Sequence, residues 1–163
     1  MILNIKNLLI ENLGTNNEQI HLFRAPARIN VIGEHVDYLG GYVLPAAIDF
    51  QVCVSIRKNS IGKIRLYSEQ YKEVATCDKP VYDQSHLWAN YVYGVVDELQ
   101  KEGFAIEGFD MAIDGDIPQG AGLSSSAALE VVTGYALSEI FDLKISREKI
   151  ALIGQAAENH FVG

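Results

Sequence analysis

Two short segments concentrate residues able to do chemistry. Residues 117–129 read IPQGAGLSSSAAL, a glycine-rich turn that runs through three consecutive serines into helix-type sequence. The apolar run Gly108 to Ile113 precedes it, so the order is strand, loop, helix. Gly120 and Gly122 allow positive φ and close backbone approach, and the free N–H groups of the following helical turn attract an anion. A polyphosphate suits such a site. The segment lacks the Lys of a P-loop and the full GxGxxG of dinucleotide folds, so by glycine spacing alone an ordinary turn with Ser124 or a neighbouring serine as N-cap is the simpler account. The second segment, residues 25–45, reads APARINVIGEHVDYLGGYVLP and crowds Arg28, Glu34, His35 and Asp37 beside Ile29, Val31 and Ile32. Charges at that density among apolar residues either line a solvated pocket that meets a polar ligand or form a surface loop of ion pairs.

The elements needed to hold these segments follow from hydrophobic period. Residues 2–13 read as a short amphipathic helix, HLFRAP opens a strand, and Tyr42 to Arg57 is a long β-type run. With Pro45 early in it, that run predicts two strand segments or one strand with a break. Lys63 to Ser68 and Glu73 to Thr76 read as further strands. Helical spacing covers His86 to Lys101, Ser124 to Phe141 and Ser146 to Phe161. Strands early and helices late predict an α+β fold, with helices on one face of a mixed or antiparallel sheet, all within a single domain over residues 1–163. A chain of 163 residues buries about 70% of its unfolded surface in one core.

Composition narrows the partners. With 13 basic and 21 acidic side chains the net charge is −8, which argues against nucleic-acid binding and against electrostatic attachment to a membrane. A nucleotide would have to be held locally, by backbone N–H groups, a helix N-terminus and Mg²⁺. The two cysteines, Cys53 and Cys77, lie far apart and read as reduced. There is no signal-peptide pattern and no long apolar span, so a cytoplasmic location is expected.

Taken together and in this order, the two segments resemble the GHMP small-molecule kinases, and RINVIGEHVDYLGGYVLPAAID resembles the sugar signature of the galactokinases. WANYV at Trp88 to Val92 and AENHFVG at Ala157 to Gly163 sit where that family has similar residues. The resemblance implies a kinase that uses ATP and Mg²⁺ to phosphorylate the C1 hydroxyl of galactose. It implies that Glu34, His35, Val36 and Asp37 bind the sugar, with a structural hydrogen bond to a backbone carbonyl the other role open to His35. Arg28 falls at the family's arginine beside the anomeric hydroxyl, where it would act on the transferred charge. Gln119, Gly120, Ala121, Gly122, Leu123, Ser124 and Ser125 would wrap the ATP phosphates. Ser125 and Glu158 would ligate the metal, and Trp88 would either lie near the adenine or pack in the core.

The family carries its catalytic aspartate in a Gly-Ile-Met-Asp-Gln segment after the block matched by AENHFVG. The chain is therefore expected to be an N-terminal portion: its galactose segment at residues 23–50, its phosphate loop and following helix at 117–141, and no turnover when isolated. Its apolar last helix is expected to leave surface for the remaining half, through which the chain would self-associate. An N-acetylgalactosamine kinase or a non-catalytic galactose and ATP sensor would share most of these residues. Ser126 and Ala127, a pair that such sensors lack, favour the enzyme.

Overall fold

The computed structural model describes residues 2–33, 40–118 and 122–163. Helix α1 (Ile2–Leu13) is followed by strands β1 (His21–Ile32), β2 (Leu44–Lys58), β3 (Ile64–Ser68) and β4 (Glu73–Cys77). After a single tight turn at Leu87–Ala89 come helix α2 (Asn90–Lys101), strand β5 (Phe109–Gly115), helix α3 (Ser125–Ile140) and helix α4 (Arg147–Ala157). A wider helical turn, Glu158–Val162, extends α4.

The strands form one five-stranded sheet in the order β1-β2-β5-β3-β4. All neighbours are antiparallel except β3 and β5, so the sheet is mixed. Pro45 does not break β2. It is the second residue of the strand and faces Asn30 beside a register irregularity, a position where a missing N–H costs little. A second irregularity lies between Pro26 and Arg28, where pairing passes from Pro26 opposite Gln51 to Arg28 opposite Ala47. Such bulges bend a strand and re-aim its side chains.

Helices α2, α3 and α4 pack on one face, as expected. Val54 and Ile56 of β2, Leu66 of β3 and Met111 of β5 meet Val92, Val96, Val132, Ala136 and Ile153 in the main core. The expectation of helices on one face alone does not extend to α1. Its apolar stripe of Ile5, Leu8, Leu9 and Leu13 lies on the opposite face, against Cys53, Tyr67 and Ala112. Burying such side chains contributes roughly 1.5–3 kcal/mol each, enough to hold a twelve-residue helix that would not persist alone. Both cysteines are free thiols. Burial is the leading cause that raises each thiol pKa and keeps it from acting as a thiolate. Among the described residues no helix is long and apolar enough to cross a membrane.

Candidate functional site

The edge strand β1 delivers Arg28 to the loop that leads into α3. The Arg28 backbone N–H donates to the Leu123 carbonyl at 3.3 Å, and its guanidinium Nη2 donates to Ser124 Oγ at 3.1 Å. Residues separated by 96 positions thus share one site. Gly122 and Ser124 both adopt left-handed backbone, with φ of 68° and 56°. That conformation is free for glycine but costs a serine on the order of 1 kcal/mol.

Ser124 precedes α3, yet its side chain makes no capping hydrogen bond to the first helical turn. Of the two roles open to it, the capping one is therefore not taken; its hydroxyl faces Arg28 instead. The first-turn N–H groups receive no side-chain cap from Ser124 and keep the partial positive charge of a helix N-terminus.

Ser125 and Ser126, at the start of α3, line a cavity of about 370 Å³ together with Trp88, Tyr71, Tyr91 and Gly115. Trp88 stands in the tight turn before α2 and is 8% exposed. Its ring stacks on Tyr71 with centroids 6.3 Å apart and planes 10° from parallel, and its indole Nε1 donates to Glu73 Oε2 at 3.2 Å. It packs against the core and lines the cavity at once.

Helical phase sorts the serines. Ser126 Oγ donates to Glu158, at 3.0 Å from Oε1 and 3.3 Å from Oε2. The serine that meets Glu158 is therefore Ser126, while Ser125 lines the cavity beside it. One turn further along α3, on the same side of the helix, Glu130 is 1% exposed and its Oε1 has no hydrogen-bond partner among the described residues. Burial, and next the neighbouring carboxyl of Glu158, push the Glu130 pKa up to about 9, so at neutral pH it holds its proton. Gly154 lets α4 come this close: a Cβ there would lie 3.3 Å from the Glu130 Cβ.

Glu130 was missed in reading the sequence, and Ser126, read there only with Ala127 as a mark of the enzyme, was not expected to meet Glu158. Three identical serines hide which one faces α4. The signal for Glu130 was present, an acid set between Leu129 and Val131 in the apolar middle of the helix. Arg28, Leu123 and Ser124 are brought together; Ser125, Ser126 and Trp88 line the cavity, and Glu158 is joined to it through Ser126. Glu34, His35, Val36, Asp37, Gln119, Gly120 and Ala121 lie outside the described residues.

Residues 90–163 match the GHMP kinases N terminal domain, and residues 10–58 match the galactokinase galactose-binding signature. The galactokinase of Lactococcus lactis, solved in complex with galactose, superimposes with a TM-score of 0.86 at 36% identity, over 96% of this chain and 42% of its own. The mevalonate kinase of Methanococcus jannaschii gives 0.72 at 19% identity, over 88% of this chain and 47% of its own. The phosphomevalonate kinase of Streptococcus pneumoniae, solved with phosphomevalonate and AMPPNP, gives 0.70 at 16%, over 88% and 44%. The latter two likenesses concern the fold alone. The chain spans less than half the length of each of these relatives. It belongs to the GHMP kinase family, carrying that family's N-terminal domain together with the galactokinase galactose-binding signature.

Proposed function

We propose that this chain supplies the sugar side and the phosphate side of a galactokinase, an enzyme that transfers the γ-phosphoryl group of ATP to the C1 hydroxyl of galactose. The observation that carries the reading is the pair of hydrogen bonds from Arg28 to Leu123 and Ser124, which joins the strand of the galactose signature to the serine loop. A hexose held by Glu34, His35, Val36 and Asp37 would then have its anomeric oxygen near the phosphates cradled by residues 119–125. Phosphoryl transfer needs mainly positioning and charge stabilisation. The fixed cation of Arg28 supplies charge where the transferred group carries it, and the uncapped first turn of α3 offers N–H donors to the same phosphates.

The oxygen donors fit a hard divalent cation: Ser126 Oγ and the Glu158 carboxylate already converge within hydrogen-bond distance, with Ser125 beside them on the cavity wall. Mg²⁺ held there would neutralise phosphate charge. Trp88 and Tyr71 give the cavity a flat aromatic wall suited to an adenine ring. Proton removal from the sugar hydroxyl falls to the aspartate that the resemblance places after the AENHFVG block, so residues 1–163 together are a binding unit and the rest of an enzyme completes the reaction.

The test is Arg28→Ala in an enzyme that carries this segment, assayed for galactose-dependent ADP formation. Removing one preorganised charged donor lowers kcat on the order of 10² to 10³-fold, with the thermal midpoint nearly unchanged because Arg28 is exposed. An unchanged kcat, or ADP formation that does not depend on galactose in the parent protein, would sink the reading.

A further inference from the structure

The aromatic wall of the cavity is held by a continuous chain of contacts that starts outside it. Asn90, the first residue of α2, is 1% exposed. Its side chain grips the backbone of Asp83 at both polar atoms: the Asp83 N–H donates to Asn90 Oδ1 at 2.8 Å, and Asn90 Nδ2 donates to the Asp83 carbonyl at 2.9 Å. A side-chain amide bridging one residue's N–H and C=O in this way fixes that residue's position and orientation.

The Asp83 carboxylate then takes hold of the segment ahead of Trp88. Its Oδ1 accepts from the backbone N–H of Ser85 at 2.7 Å and of His86 at 3.1 Å, and its Oδ2 lies 2.9 Å from His86 Nδ1. The His86 carbonyl accepts the Ala89 N–H at 2.9 Å, which closes the tight turn. The imidazole, so oriented, meets the indole of Trp88 edge to face, with centroids 6.3 Å apart and planes at 80°. Trp88 in turn stacks on Tyr71 and bonds Glu73.

Neither Asn90, Asp83 nor His86 lines the cavity, yet together they fix the ring that does. Resting on the reading of this cavity as the nucleotide site, we propose that Asp83 and Asn90 are positioning residues for nucleotide binding, acting through the His86–Trp88 contact. A preformed aromatic face binds a planar base without first ordering its own side chains, and this is the affinity that the relay supplies.

Trp88 is the only tryptophan in the chain, so its fluorescence reads this wall directly. The experiment titrates AMPPNP with Mg²⁺ into the protein and into its Asp83→Ala and Asn90→Ala variants, following Trp88 emission and its quenching by acrylamide. Asp78→Ala serves as control, since Asp78 pairs with Lys63 in the exposed chain segment that precedes the relay. Loss of Asp83 or Asn90 is expected to weaken nucleotide binding about five- to tenfold, the scale of one or two lost hydrogen bonds. Acrylamide access to Trp88 should rise, while Asp78→Ala stays within about twofold. Should Asn90→Ala fail to fold, Asp83→Ala still decides, because Asp83 is only half-buried. An Asp83→Ala variant that binds AMPPNP within about twofold of the parent, with unaltered Trp88 quenching, overturns the positioning role. A parent protein that binds AMPPNP with no change in Trp88 emission, or does not bind it, overturns instead the assignment of the cavity on which the role rests.

Discussion

Two buried carboxyls in this fold, Asp110 and Glu130, meet opposite circumstances. Asp110 on β5 is fully buried and surrounded by donors. Arg57 reaches its Oδ2 with Nε at 3.0 Å and Nη2 at 2.8 Å. Arg65 spans both oxygens at 2.8 and 2.7 Å, and Asn59 donates to Oδ1 at 2.8 Å. Arg57 Nη2 also donates to the Gly14 carbonyl at 2.7 Å, tying the end of α1 to the sheet. Glu130 has a second carboxyl, that of Glu158, as its charged neighbour and an oxygen with no hydrogen-bond partner among the described residues. Guanidinium and amide donors satisfy the first group; the second escapes its charge by keeping a proton. One cluster secures architecture, and the other lies behind the cavity, joined to its lining through the Ser126–Glu158 hydrogen bonds.

That contrast can be broken at its strong end first. Arg57→Met leaves Asp110 buried with one guanidinium gone, which should cost about 3–5 kcal/mol in denaturant unfolding. A loss under about 1 kcal/mol would mean that Arg65 and Asn59 suffice. Glu130 comes next. Its pKa in the folded protein is raised, so its contribution is fully present below the unfolded value near 4.5 and is lost as pH climbs toward about 9. Across that window the unfolded chain ionises while the native state must keep the proton. Urea melts should therefore show stability falling from pH 5 to pH 8, by roughly 1–3 kcal/mol from this group. Glu130→Gln, of the same shape and never charged, should flatten that slope; an equally steep decline in the variant would assign it to other groups. The smallest effect belongs to an exposed ion pair, Lys149 with Glu102 at 2.7 Å, both well solvated. Lys149→Ala should shift stability by no more than about 0.5 kcal/mol, and a larger change would show that solvent does not screen it.

The element order was legible because period and turn residues agree along most of the chain. The apolar stripe of residues 2–13 gave α1 its bounds, and the β-type run gave β2. The placement of α1 was not legible, for a reason visible in VCVSIR. Val52, Val54 and Ile56 alternate with Cys53, Ser55 and Arg57, a pattern that reads as one apolar and one wet face, yet all six are buried. Small or satisfiable polar groups stand under α1: Ser55 Oγ donates to the Ile5 carbonyl at 2.9 Å, and Arg57 bonds Gly14 and Asp110. Near the serine loop, the resemblance pointed to Arg28 and Glu158, which the structure places against Ser124 and Ser126. It did not foretell that Ser126 meets Glu158 or that Glu130 is buried beside them, since both depend on how α3 is rotated against α4, information that a list of residue types does not contain. Asn90, to which no chemistry was attached, owes its importance to a contact seven residues back.

The 96-residue gap between Arg28 and Ser124 also bears on how the protein is made. As the polypeptide leaves the ribosome, β1 can zip onto β2 early, since their pairing is nearly local. Its arginine then waits, facing solvent, until the serine loop emerges about a hundred residues later, several seconds at ordinary rates of synthesis. Through that interval β1 has an unpaired outer edge, with Val31 and Ile32 exposed even in the finished fold. The nascent molecule is then most open to strand-to-strand sticking, until the serine loop arrives and its Leu123 carbonyl takes the Arg28 N–H.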